Sequence, residues 1–112
     1  MKLSQDESRK NPPCWNKDAQ AHCLRVESAY GSFYLFPYNH LVFVRFESGN
    51  ENDTIRVSLD THEIQIDGTN LRGLGLAFYK FTVDWVKELP AHYNPLANDD
   101  HACIRSITVN KA

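Results

Sequence analysis

Apolar and polar residues alternate along much of the chain after residue 21, and this pattern predicts strands. The segment 54–60 (TIRVSLD) is the clearest case, because its apolar residues occupy every second position. A period of two is typical of a strand with one buried face. The close spacing around Asp60 and Thr61 predicts a hairpin to the next strand. The remaining predicted strands cover residues 22–28, 32–36, 41–47, 62–67 and 102–109.

The segment after Gly68 changes to a helical period. Its apolar residues are spaced by three and four positions, which is typical of one face of a helix, at Leu71, Leu74, Phe78, Phe81 and Trp85. Two interpretations remain open: a single helix over 70–89, or a helix that ends near Lys80 and is followed by a short strand. The β-branched and aromatic residues of 82–86 favour the shorter helix.

This order of elements predicts an α+β fold: a mainly antiparallel, bent sheet of five to six strands packed on one amphipathic helix. Such a bent sheet capped by a helix loosely resembles a pleckstrin-homology-type roll, in architecture only. Residues 1–20 are polar and contain Pro12-Pro13, so we expect a flexible N-terminal arm in which Trp15 docks on the domain. Residues 21–112 then form a single globular domain.

Composition and charge narrow the classes of partner. The chain has 112 residues, of which 42% are hydrophobic and 23% charged, as in an ordinary soluble domain. Its formal net charge is −2 and its arginines are scattered, so we expect no nucleic-acid partner, because such binding relies on phosphate neutralisation by a basic surface. The longest apolar stretch, 41–44, is far too short to span a bilayer, so we expect no membrane association.

The cysteines and the N-terminal residues suggest a compartment. The three cysteines cannot all pair within the chain. Residues 1–11 are polar and lack the apolar stretch of a secretory signal. We therefore expect a cytoplasmic protein with free thiols.

The densest group of possible metal ligands or acid–base groups lies before the last strand. His101 and Cys103 are two residues apart, so they share one face of a strand, and Asp99 precedes them. A zinc ion needs three or four ligands, so further ligands would have to come from Cys14, His22 or Cys23. The simpler interpretation is a solvated loop that leads into a strand, with Cys103 in the core. We predict no metal and no cofactor.

Aromatic residues concentrate around the second predicted strand. Phe33 and Leu35 point to one face of this strand, and Tyr34 and Phe36 point to the other. One pair is therefore exposed, unless the sheet bends around both faces or Trp15 covers one of them. Exposed aromatic side chains suit a protein interface, because they offer large contact area at low entropic cost. The predicted interface residues are Tyr34, Phe36, Tyr38 and His40.

Two functional hypotheses follow. The chain lacks the CxxC, HExxH, phosphate-loop and nucleophile-elbow motifs. The first hypothesis is therefore a non-catalytic interaction module that binds a protein partner or itself, as a homodimer, through an aromatic sheet surface. The alternative is a small enzyme or a ligand- or metal-binding protein, with candidate residues His40, Asp99, His101 and Cys103.

Overall fold

The computed structural model describes residues 13–90 and 102–112, which form an α+β domain. The single α-helix of the described residues, α1, spans Arg72–Tyr79, and a 3-10 turn spans Tyr38–His40. The strands are β1 (Trp15–Lys17), β2 (Cys23–Glu27), β3 (Phe33–Pro37), β4 (Leu41–Ser48), β5 (Asp53–Leu59), β6 (His62–Thr69), β7 (Val83–Lys87) and β8 (Cys103–Lys111).

The strands belong to two four-stranded sheets. Sheet 1 has the order β1-β7-β2-β3, and sheet 2 has the order β4-β5-β6-β8. The prediction of a single sheet of five to six strands is therefore wrong, whereas the α+β class and the mainly antiparallel pairing are confirmed. The split falls at the 3-10 turn Tyr38–His40, which follows Pro37 at the end of β3. β3 and β4 consequently lie in different sheets although they are neighbours in sequence.

Strand β7 gives sheet 1 its mixed character. It lies between β1 and β2, antiparallel to β1 and parallel to β2, with Arg25 opposite Trp85. Its presence confirms the interpretation of 70–89 as a short helix followed by a strand. The segment 15–17, within the expected arm, forms β1, and Trp15 packs against the core. The rest of that arm up to residue 12 lies outside the described residues.

The end of α1 explains why the helix does not continue into β7. The Phe81 N–H donates to Phe78 O at 3.0 Å, and the Thr82 N–H donates to Ala77 O at 3.1 Å. These two bonds form a Schellman motif, which terminates a helix through one residue in the left-handed conformation. Phe81 occupies that position with a φ of 57°, where glycine is usual. The chain therefore turns and enters β7 as extended backbone.

One hydrophobic core joins the two sheets and the helix. Alternate residues of β5 and β6 are fully buried, as the period of two predicts, and α1 contributes Leu74 and Phe78. The largest fully buried aliphatic residues are Leu24, Ile55, Ile64, Ile66, Leu71, Leu74 and Ile104.

The described residues contain no helix with the length and apolar character needed to cross a bilayer.

Glu88 links the two sheets at one end. One carboxylate oxygen, Oε1, accepts a hydrogen bond from Ala29 N at 3.3 Å, after the end of β2. The other, Oε2, accepts from Ile107 N at 3.2 Å, in β8. Because hydrogen bonds to a charged group are stronger than neutral ones, this single side chain stabilises the contact between sheet 1 and sheet 2.

Candidate protein-interaction surface

Strand β3 forms one edge of sheet 1 and exposes most of its side chains. Phe36 is 6% exposed and points into the core, whereas Phe33 and Leu35 are 55% and 60% exposed on the opposite face. Tyr34 shares the face of Phe36 but lies nearer the opening between the sheets and is 48% exposed. The alternation expected for this segment is therefore present, and the exposed pair is Phe33 and Leu35.

An arginine and a tryptophan extend this exposed surface across sheet 1. Arg25, on β2, lies opposite Leu35 of β3 and opposite Trp85 of β7. Its guanidinium carbon is 6.0 Å from the centre of the Phe33 ring and 5.7 Å from that of the Trp85 ring. Both distances suit cation–π attraction. We call Arg25, Phe33, Leu35 and Trp85 the outer patch.

Ion pairs fix the charged neighbours of the outer patch. Glu27 Oε1 lies 3.4 Å from Arg25 Nε, and Glu27 Oε2 lies 3.8 Å from Lys87 Nζ. The carboxylate thus partly neutralises two cations on the same face. Each pair is at least partly exposed and contributes little to stability.

The backbone of β3 also has an unpaired edge. Ser28 N donates to Ser32 O at 2.7 Å, and Tyr38 N donates to His22 O at 3.0 Å, one at each end of the β2–β3 pair. Backbone groups of an antiparallel strand alternate between its two sides. The groups of Tyr34 and Phe36 therefore point toward β2, and the N–H and C=O groups of Phe33 and Leu35 point away from the sheet.

The other edge strands carry features that oppose further pairing. β1 has only three residues and a register irregularity. β4 has a bulge near Phe43. It also presents an ion pair, in which Arg45 Nη2 lies 2.9 Å from Glu47 Oε2. On β8, the Ile107 N–H is occupied by the Glu88 carboxylate. Bulges, charges and covering groups are the usual protection of sheet edges. Among the described residues, none provides such protection along β3 apart from Pro37 at its end.

The predicted interface residues occupy different environments. The Phe36 side chain is buried in the core of the monomer, so it cannot contact a partner. The Tyr34 ring stacks on it, with ring centres 5.4 Å apart, and lies 6.0 Å from the ring of His62. His40 is exposed, with Nδ1 3.5 Å from the Asp60 carboxylate. Of the four residues, Tyr34 alone adjoins the exposed part of β3.

Tyr38 has a structural partner. Its hydroxyl donates to the backbone oxygen of Val83, and its ring meets Phe81 edge-on at 5.8 Å. Burial is the main reason that the pKa of Tyr38 is raised, and the nearby Asp84 charge raises it further. The side chain therefore remains a neutral hydrogen-bond donor that ties the 3-10 turn to β7.

A small cavity opens beside Tyr34, between the β2–β3 hairpin and β8. Its volume is about 190 Å³. That is less than the 300–1,000 Å³ typical of small-molecule sites. The residues that line it are Val26, Glu27, Ser28, Ser32, Tyr34, Ile107 and Val109.

The candidate ligand or metal group is only partly within the described residues. Asp99 and His101 lie outside them. Cys103 is 2% exposed, and burial raises the pKa of its thiol. Burial likewise raises the pKa of Cys14 to about 11, and its thiol donates to Ala102 O at 3.4 Å. Both cysteines are therefore neutral thiols near pH 7, and thiols are weak nucleophiles and poor metal ligands compared with thiolates.

Within 13–90 and 102–112, no three His, Cys, Asp or Glu residues are arranged to hold a metal ion.

Only part of the outer patch could be identified from the sequence. The alternation placed Phe33 and Leu35 together, but nothing local placed Arg25 and Trp85 beside them, because β2 and β7 are far apart in sequence.

Comparisons with known proteins give no relative for this chain. No protein-family model, curated protein or solved structure matches it. The likeness to a pleckstrin-homology-type roll therefore stays a prediction.

Proposed function

We propose that the protein is a small, non-catalytic interaction module that self-associates through β3 and the adjoining outer patch. The observation that carries this proposal is the edge of β3. Within residues 13–90 and 102–112, it combines exposed apolar side chains with unpaired backbone groups and lacks the protection of the other edges. The outer patch supports it, because tryptophan, arginine and other large side chains supply much of the binding energy of protein interfaces.

A second copy of the chain is the occupant that the charges of this surface favour. Residues 33–37 carry no charge, so two β3 strands can approach each other without repulsion. The nearest charged side chains, Arg25 and Glu27, lie one strand further in and have opposite signs. A two-fold axis beside Tyr34 would place Arg25 in the same row of the combined sheet as Glu27 of the partner subunit.

The exposed area indicates a weak dimer. A buried aromatic side chain removes about 150–250 Å² from solvent, so the half-exposed Phe33 and Tyr34 would each lose about 100 Å² more. With Leu35 and the main chain of β3, the area buried is roughly 400 Å² per chain. Stable interfaces usually bury about 800 Å² per partner, so we expect a dissociation constant in the micromolar range or above.

Analytical ultracentrifugation over a wide concentration range tests the proposal. We expect the mean mass of the wild type to rise from one chain toward two. Leu35→Lys should weaken this association at least tenfold, because the charge must be desolvated at the interface. Val42→Lys is the matched control: Val42 is also 60% exposed but lies on β4. A wild type that stays monomeric at millimolar concentration would refute self-association, and equal effects of both variants would refute the location.

The cytoplasmic location belongs to the same proposal and is supported by the three free cysteines. The alternative of an enzyme or metal-binding protein around His101 and Cys103 gains no support from the described residues, because the Cys103 thiol faces the core.

A further inference from the structure

We infer that two copies join edge to edge through β3, antiparallel and with the two-fold axis beside Tyr34. The result would be one continuous eight-stranded sheet made from both copies of sheet 1. This inference rests on the proposed self-association and specifies how it occurs: by hydrogen bonds between main chains, with the side chains of the outer patch in support.

The outward backbone groups limit the possible registers. Only Phe33 and Leu35 direct both an N–H and a C=O away from sheet 1, since Pro37 has no N–H. An antiparallel pair uses such groups fully when each outward residue faces another outward residue. Three two-fold-symmetric registers place Phe33 or Leu35 opposite Phe33 or Leu35 of the partner subunit. Their two-fold axes lie beside Phe33, Tyr34 and Leu35, respectively.

The register centred on Tyr34 satisfies the most groups. In it, Phe33 exchanges two hydrogen bonds with Leu35 of the partner subunit, and Leu35 exchanges two with Phe33 of the partner subunit. Centring on Phe33 places Leu35 opposite Gly31, whose N–H already donates to Ser28 O at 3.3 Å. Centring on Leu35 places Phe33 opposite Pro37, which leaves the Phe33 oxygen without a donor.

Side-chain packing favours the same register. Phe33 would lie directly beside Leu35 of the partner subunit on the outer face, and the symmetric pair would lie next to it. Aromatic and aliphatic side chains in such cross-strand positions stabilise antiparallel pairing. The two outer patches would then form one apolar strip, with Arg25 and Trp85 of each copy at its ends.

Site-specific disulfide formation distinguishes the registers. Around Tyr34 the two strands form a non-hydrogen-bonded pair, in which Cα atoms lie about 4.5 Å apart, within the range that a disulfide spans. Tyr34→Cys, in a Cys23→Ser background that removes the exposed native thiol, should form a covalent dimer under oxidised glutathione. Phe33→Cys and Leu35→Cys are the matched controls and should form much less, because each lies two residues out of register with its own copy.

Hydrogen exchange of the wild type supplies a second test that requires no substitution. The amides of Phe33 and Leu35 should exchange roughly tenfold more slowly at a concentration where about nine tenths of the chains are dimeric. The amide of Val42, on the edge strand of the other sheet, should be unaffected by concentration.

Each outcome of the two tests has a defined meaning. A covalent dimer of Phe33→Cys or Leu35→Cys instead of Tyr34→Cys would overturn the register and leave self-association intact. If the wild type dimerises in the ultracentrifuge while no variant is cross-linked and the Phe33 and Leu35 amides stay unprotected, pairing through this edge is wrong. A wild type that stays monomeric would refute the proposed function as well.

Discussion

Gly68 gives the sharpest test of the described packing. It lies at the bulge where β6 pairs with β8, and a Cβ added there would be 2.0 Å from Cys103 O. Backbone cannot move aside as a flexible side chain can, so Gly68→Ala must displace β8 around Cys103 and the buried Ile104. Losing about two backbone hydrogen bonds costs about 2 kcal/mol. Strain in the core adds about 1–3 kcal/mol. We expect the free energy of unfolding to fall by about 4 kcal/mol.

Gly73→Ala is the matched control. Of the atoms in the described ranges, Trp15 Cζ2 alone would lie within 4 Å of a Cβ at Gly73, in α1, at 4.0 Å. Alanine there should raise the free energy of unfolding by about 0.5–1 kcal/mol, because glycine loses more backbone entropy in a helix. Thermal unfolding followed by circular dichroism should show a Tm about 15 °C lower for Gly68→Ala and a few degrees higher for Gly73→Ala. A Gly68→Ala protein within 1 kcal/mol of the wild type would refute the tight β6–β8 contact.

Three further predictions concern single side chains. Glu88→Ala should lower the free energy of unfolding in urea by about 2–3 kcal/mol, because two backbone amides lose their acceptor, and an unchanged urea midpoint would contradict the link between the sheets. Tyr38→Phe should cost about 1 kcal/mol at neutral pH. The pKa of Tyr38 is higher in the folded than in the unfolded protein, where it is about 10. The free energy of unfolding of the wild type should therefore fall as the pH rises above about 10, and that of Tyr38→Phe should not show this fall. With a colorimetric thiol reagent, Cys23 should react at once and Cys14 and Cys103 only on unfolding; prompt reaction of all three would contradict their burial.

The individual strands could be predicted from sequence because burial of one face imposes a local period of two. This held for the segments that became β2, β5 and β6, whereas β3 and β4 were predicted from their aromatic and apolar content. The change from helix to strand near Lys80 could also be predicted, because β-branched residues lose side-chain freedom in a helix. β1 could not, since three residues are too few to show a period.

The pairing of strands could not be predicted from the same pattern. Nothing in residues 23–27 indicates that their neighbour is β7, because the pairing depends on the closure of the whole domain. The outer patch depends on that pairing, since Arg25 reaches Trp85 only across β2 and β7. For the same reason, Phe36 and Phe33 could be assigned to opposite faces from sequence, but not to the buried and the exposed face.

The parallel pairing of β2 with β7 has a consequence for how the chain folds. Arg25 pairs with Trp85, 60 positions further along the chain. The hairpins β4–β5 and β5–β6 close over short loops and can form while the rest of the chain is still being made. β2, in contrast, pairs with β3 on one edge, and its other edge stays unpaired until β7 emerges from the ribosome. Contacts of such long separation slow folding and leave strand edges open to other chains. Completion of sheet 1 is therefore the expected slow step, and newly made, still incomplete chains are the form of this protein most prone to aggregate.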